Sequence, residues 1–433
     1  MKIVMFSPAH KLSAIGGVAC EVTRALLSNG HRVTVIRTEE KALHDKPTHD
    51  FSANLIPWDD YEQIIALSSQ ADACVYLIGD NYGLHRGCLE WLPRLPGIVC
   101  LHDKFLGNLF RTWALHHLRQ ADEILRSWYG DRVAKGYFEW PNSQASLLKA
   151  ANLAPMTEWI CAMACGVVTH STNGIHRILG SCPGPVHVIP LSLTKKIDST
   201  IEPKRIDSAD GKFHLLTVGY VNPNKRVPIV IQAIGNSALL RERTIYRLVG
   251  KIEQRIARQL SELAKNLSVN LMISGEIDDM ALDLALKEAD AISCLRWPAL
   301  ETGSGSCVEA LLYGKPCMVT DTGFYHEIPD CYVKKIDPLK EIESIQKTLE
   351  ELCENGELRY ALGTKAQRWA RSTYTPENYA QELIGIILSS NKAKPFISAV
   401  TFFTDIMNGW GASENLINLD DTIAPLRLFE WNQ

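Results

Sequence analysis

The chain has no apolar run approaching the roughly 18 residues that a membrane-crossing helix needs. Its opening, MKIVMFSPAHK, follows one lysine with only a short apolar stretch and no cleavage-site pattern. Neither a span nor a signal peptide is expected, and the reading is a cytoplasmic protein. An excess of one charge is missing too. Lys and Arg number 45 against 49 Asp and Glu, a net charge of −4, which gives no general attraction to nucleic acid or anionic lipid. The twelve cysteines form no CxxC pair and lack the spacing of a disulfide scaffold. Cys74, Cys100, Cys294 and Cys317 stand inside strand-like or helical runs and read as reduced packing residues. The dinucleotide fingerprint GxGxxG is also absent, which weighs against a dehydrogenase.

What is present is alternation. At 433 residues the chain is too long for one ordinary core and suits two domains. The runs 2–8, 31–38, 73–79, 97–103, 166–171 and 185–193 are β-branched and nearly continuous, as buried parallel strands are. Helical patterns separate them. Residues 194–212 lose the apolar periodicity and carry charges, the signature of a linker. The pattern then restarts at 213–220, 244–251, 269–276, 291–297 and 315–323. The expected class is α/β, with two tandem Rossmann-like doubly wound domains facing a cleft. One covers 1–193 and the other 213–375, and residues 376–433 add a further helical pattern and an extension packed on the body.

Open α/β sheets bind ligands beyond the carboxyl ends of their strands, and several motifs fall there. Gly16-Gly17 open the helix after the first strand, where bare amides can hold phosphate, although a glycine pair at that point is as often just a turn. In GYVNPNKR (219–226), Lys225 and Arg226 stand at a helix start, the unfavourable end for cations unless an anion lies between them and the amides; that favours phosphate there over two solvated surface cations. In ALETGSGSCVEALLYGKP (299–316), Glu301 and Glu309 bracket a Gly-Ser turn that runs into a helix. That turn suits an oxygen-rich ligand, but Ser306-x-x-Glu309 is equally a capping box. His102-Asp103 close the fourth of the strand-like runs; a lone histidine there is more often structural. His116-His117 are adjacent and so point apart on a helix, which makes them poor co-ligands for a metal.

Taken together, the glycine pair, GIVCLHD, HVIPLSL, GYVNPNKR and ETGSGSCVEALLYGKPCMVTDTG with its E-x7-E spacing resemble the family 4 retaining glycosyltransferases of the GT-B fold, over about residues 1–390. The resemblance implies a nucleotide-sugar donor and an acceptor hydroxyl on a saccharide or lipid-linked saccharide, as in bacterial cell-surface polysaccharide or lipopolysaccharide synthesis. It implies catalytic roles for His102, Glu301 and Lys225. Donor contacts would come from Gly16, Gly17, Arg226, Gly303, Ser304, Gly305 and Glu309, with Glu309 on the ribose. Asp103, Asn81 and Tyr82 would lie on the acceptor side. No metal and no cofactor are implied. One departure stands out: the family commonly carries a second cation directly after the glycine that ends this strand, where this chain has Tyr220, and Arg226 or Arg296 would have to replace it. The alternatives are a silent nucleotide-sugar binder and a sugar-nucleotide epimerase. The stretch 104–120 mixes Phe105, Leu109, Phe110 and Trp113 with Lys104, Arg111 and Arg119. It reads first as a helix packed on its own domain, and second as a weak contact with the inner face of a membrane.

Overall fold

A computed structural model describes residues 1–140, 143–193 and 211–411. Most of the linker expected at 194–212, and the end of the extension from 412 to 433, lie outside the described residues.

Two all-parallel sheets form. The first runs β3-β2-β1-β4-β5-β6-β7, built from β1 (Lys2–Ser7), β2 (Arg32–Arg37), β3 (Asn54–Pro57), β4 (Ala73–Ile78), β5 (Ile98–Leu101), β6 (Gly166–Thr169) and β7 (Val186–Val188). The second runs β10-β9-β8-β11-β12-β13, built from β8 (Phe213–Val218), β9 (Thr244–Val249), β10 (Asn270–Gly275), β11 (Ala291–Ser293), β12 (Cys317–Thr320) and β13 (Lys334–Ile336). The central strands are buried on both faces, which is why they read as continuous apolar runs. Strand order reverses between β1 and β4 and again between β8 and β11, and each reversal opens a crevice at the strands' carboxyl ends.

Helices cover both faces of each sheet and split each domain's core in two. The last helix, Pro376–Gly409, leaves the second domain and returns to the first. Its Tyr379, Leu383, Ile386 and Ile387 complete the core that holds Val75, Cys100 and Val168, and Ser390 Oγ donates to the Cys165 carbonyl at 2.8 Å.

The two domains meet along a short seam. Thr302 N–H donates to the His102 carbonyl at 2.8 Å and Lys104 N–H to the Leu300 carbonyl at 2.8 Å, so Asp103 and Glu301 face each other as an antiparallel bridge. Thr302 Oγ1 adds bonds to the Leu101 and His102 carbonyls at 2.7 and 3.0 Å. Nearby, Glu327 accepts from Thr172 N–H and Oγ1, each at 2.8 Å, and from Asn173 N–H at 3.1 Å.

Candidate functional site

The second domain contributes two loops. At the end of β8 the chain turns through Gly219 (φ +94°) and a one-turn helix, Pro223–Lys225, capped by Asn222. Lys225 is 4 % exposed, and its Nζ donates to the Val218 carbonyl. Burial, with Arg296 beside it, pushes the amine down to about 7. Arg226 takes the αL conformation at the start of the helix Val227–Asn236. Its guanidinium grips Glu341 at 2.6 to 3.1 Å. The anion that this cation required is therefore Glu341, and the structure ties Arg226 into the fold rather than aiming it at the cleft. Tyr220 is 46 % exposed, its hydroxyl donating to Glu253 at 3.1 Å.

The second loop follows β11. Arg296 Nε lies 3.2 Å from Glu301, which also accepts from Tyr325 Oη at 2.7 Å and from the Leu300 amide at 3.1 Å. Ser304 caps the helix Gly305–Leu312 by accepting from Cys307 N–H. The capping-box reading of Ser306 and Glu309 is thereby corrected, since with Ser304 as the cap Glu309 is the fifth helical residue instead of the third. Glu309 is 8 % exposed on a helix whose residues from Cys307 to Leu312 are all buried, so it is no solvated surface acid. Gly303 docks on the first domain, where an added Cβ would come 3.0 Å from His170 and 3.3 Å from Leu191. Above Gly305 the space is open: a Cβ there would meet nothing within 4 Å.

The first domain faces this with the ends of β4 and β5. His102 is buried, its Nδ1 3.3 Å from His170 Nε2, and His170 Nδ1 is 3.0 Å from the Ile189 carbonyl. Asp103 accepts the Asp80 amide at 2.8 Å. Burial, with Glu301 nearby, pushes its carboxyl up to about 7. Asp80 accepts from Leu109 N–H at 2.8 Å and Asn108 Nδ2 at 2.7 Å. A cavity of about 530 Å³ opens beside the seam, between Lys104, Asn152 and Arg177 of the first domain and Trp297, Pro298 and Leu300 of the second.

Three expected placements need correction. Gly16 and Gly17 do not present bare amides, because the helix begins at Ala14: Gly16 N–H donates to Ser13 Oγ and Gly17 N–H to the Ser13 carbonyl. Asn81 caps its own helix through Leu84 N–H. Tyr82 lies in the core of the first domain. The spacing Ser13-x-x-Gly16 already held the signal of a cap. The backbone carbonyl of His102 is likewise not free to face a sugar, since Thr302 occupies it. His170 escaped the sequence reading, and Asp80, inside the segment 79–87 expected on the acceptor side, was passed over for Asn81 and Tyr82, although each stands one or two residues past a strand, the position that singled out His102. In 104–120, Phe105, Leu109 and Phe110 pack inward, while Leu115 and Leu118 stay exposed. Among the described residues, no helix is long and apolar enough to cross a membrane. Among the same residues, the group of side chains close enough to hold a metal is Cys294, Cys307 and Cys317, with sulfurs within 4.8 Å of one another. All three are part of the apolar core behind the Glu301 loop.

Residues 198–369 match the family model for glycosyl transferases group 1. No curated protein matches the sequence itself. Solved structures similar to this chain include HepE of Anabaena bound to UDP and glucose (15 % identity, TM-score 0.57, covering 90 % of this chain and 100 % of that one). WaaG, described as a glycosyltransferase of lipopolysaccharide biosynthesis, aligns at 15 % identity with TM-score 0.55, over 88 % of this chain and 98 % of its own. A glycosyltransferase from Rickettsia africae aligns at 14 % identity with TM-score 0.59, over 90 % and 98 %. At these identities the likeness establishes the fold. These likenesses and the two facing sheets show the GT-B fold, and within it residues 198–369, largely the second domain, carry the match to the group 1 glycosyl transferase model.

Proposed function

We propose that this protein is a retaining glycosyltransferase that moves a sugar from a nucleotide-sugar to an acceptor hydroxyl in cell-surface polysaccharide or lipopolysaccharide synthesis. The observation that carries the reading is the open helix start at Gly305, with the buried acid Glu309 one turn further and Lys225, Arg296 and Glu301 close enough to set one another's charge. A carboxylate accepts from two adjacent hydroxyls, so Glu309 suits a ribose, and the amides at the helix start suit phosphate. HepE, one of the similar structures, is bound to UDP, and in another crystal to UDP-glucose.

In this reading Arg296 replaces the cation missing at Tyr220: both arginines pair with an acid, but Arg226 is drawn off to Glu341, whereas Arg296 pairs with Glu301 of the same loop and lies beside Lys225. Lys225, Arg296 and the helix start meet the charge that grows on the departing diphosphate, and the reading calls on no metal. The bond from the anomeric carbon to the phosphate oxygen breaks as the bond to the acceptor oxygen forms on the same face, and the acceptor's proton passes to the phosphate oxygen. The protein then contributes position and charge, not a nucleophile. The acceptor enters through the cavity lined by Lys104 and Arg177, whose two basic side chains, set among apolar residues such as Trp297 and Leu300, suit a hydroxyl-rich or anionic saccharide. The exposed Leu115 and Leu118 would meet the membrane face if that acceptor is lipid-linked.

The test is calorimetric titration of UDP, GDP, ADP and dTDP into wild type and Glu309→Ala, followed by incubation with the matching sugar nucleotides and analysis of the products. One diphosphate should bind selectively, more weakly to the variant, with transfer that keeps the anomeric configuration. No binding at millimolar nucleotide would sink the reading. Binding without turnover would leave a silent binder, and a changed sugar nucleotide formed without acceptor would mark an epimerase.

A further inference from the structure

His102 and His170 form a buried pair whose hydrogen bonds run in one direction. The chain begins at the Ile189 carbonyl, which can only accept, so the proton of His170 sits on Nδ1. A neutral imidazole carries one proton, so His170 Nε2 is an acceptor, and the atom 3.3 Å from it, His102 Nδ1, must donate. His102 then has no proton on Nε2. That nitrogen is buried and has no hydrogen-bond partner in the structure. Both rings are neutral near pH 7: burial lowers His170 to about 4 and His102 well below the usual histidine range, with His170 and His85 as the neighbouring bases. His85 is itself driven down to about 3 by burial, and Asp103 is held by the Asp80 amide.

We propose that His170 is a positioning residue that locks His102 into the tautomer with a bare Nε2, so that the site requires a hydrogen-bond donor, a substrate hydroxyl, at that point. The inference rests on the transferase reading for the identity of that hydroxyl, but not for the tautomer. A phosphate or ether oxygen facing His102 would be repelled. A sugar lacking the hydroxyl would leave a buried acceptor unsatisfied, the kind of omission that polar sites reject strongly.

Nitrogen NMR of the histidine-labelled full-length protein, with His102 assigned through its loss in His102→Gln, reads the tautomer directly. The proton should be on Nδ1 in wild type, should stay there in His170→Gln, whose amide oxygen still accepts, and should shift toward Nε2 in His170→Phe. A proton on Nε2 of wild-type His102, or no change in His170→Phe, overturns the proposal. With UDP-glucose as probe, His170→Phe should lower kcat/KM roughly 10- to 100-fold, by analogy with the loss of partners that orient metal-bound histidines, and His170→Gln should stay near wild type. The fluoro and deoxy analogues at the contacted position should fail equally in wild type, because fluorine cannot donate; a fluoro analogue that keeps activity would show His102 to be the donor. If no sugar nucleotide is turned over at all, the transferase reading falls, while the tautomer result still decides the role of His170.

Discussion

The same local unit, a strand ending at a serine-capped helix, occurs twice at the cleft and is used in opposite ways. In the first domain Ser13 caps the helix Ala14–Ser28, and its start is roofed over. A Cβ on Gly16 would come 2.5 Å from the Pro8 carbonyl and 3.2 Å from the His49 ring, whose Nε2 bonds the Ser13 carbonyl at 3.0 Å. In the second domain Ser304 caps the helix Gly305–Leu312, and nothing stands above Gly305. Both positions are glycine, but for different reasons: the first makes room for the protein's own backbone, and the second leaves room for something that is not protein. A glycine at a helix start is therefore not in itself a sign of a ligand; what fills the space over it decides.

That contrast can be broken by substitution. The largest effect should come from Lys225→Ala, which removes a cation beside the open helix start. Transfer should slow by about 10²- to 10³-fold, the range for one electrostatic donor in a catalytic site, and a steady-state assay with the donor that the nucleotide titration selects would show it. Next is Gly305→Val. With nothing within 4 Å of the added Cβ, the melting temperature should hardly move, while nucleoside diphosphate affinity should fall by about tenfold or more, or roughly 1.4 kcal/mol. Gly16→Ala should do the reverse, costing about 1–3 kcal/mol of stability through overpacking with diphosphate affinity kept. If calorimetry and thermal melts give both glycines the same pattern, the contrast between the two helix starts is wrong.

The two arginines offer a finer comparison. Arg226→Ala leaves the mostly buried Glu341 without its partner and should destabilise by about 1–3 kcal/mol, without weakening diphosphate binding. Arg296→Ala should weaken that binding several-fold. The smallest effect is a proton. Lys225 has a folded pKa of about 7 against an ordinary 10.5, so at pH 8 the empty site holds a largely neutral amine. Diphosphate binding should then draw in a fraction of a proton, read as a dependence of the binding enthalpy on buffer ionisation, and the uptake should vanish at pH 6, where the amine is already charged. The sign for stability follows: between these two pKa values the unfolded chain binds more protons, so the penalty of burying Lys225 is full below pH 7 and is relieved as pH rises toward 10.5.

Much of this was legible in the residues. The central strands announced themselves because burial on both faces makes them continuous apolar runs, and the positions after them followed from the rule of the parallel sheet. The short edge strands β3 (NLIP) and β13 (KKI) were missed, since an edge strand with proline or lysines has no such run. Glu309 was legible as an acid but not as buried, because the choice between Ser304 and Ser306 as cap depends on how Gly303 seats against His170 in the other domain. Arg226 and Arg296 could not be ranked, because Glu341 lies 115 residues from Arg226 along the chain. His170 went unread for a similar reason: its meaning comes from His102, 68 residues away.

The closing helix sets the order in which the chain can become a protein. The first domain emerges first from the ribosome, yet Tyr379, Leu383, Ile386 and Ile387, which fill one face of its sheet, are among the last described residues to be made. Until they arrive, the apolar surface around Val75, Cys100 and Val168 waits uncovered while the whole second domain is synthesised, the circumstance in which nascent chains aggregate or recruit chaperones. A chain stopped just before Pro376 would carry every loop of the cleft and still lack a finished first domain.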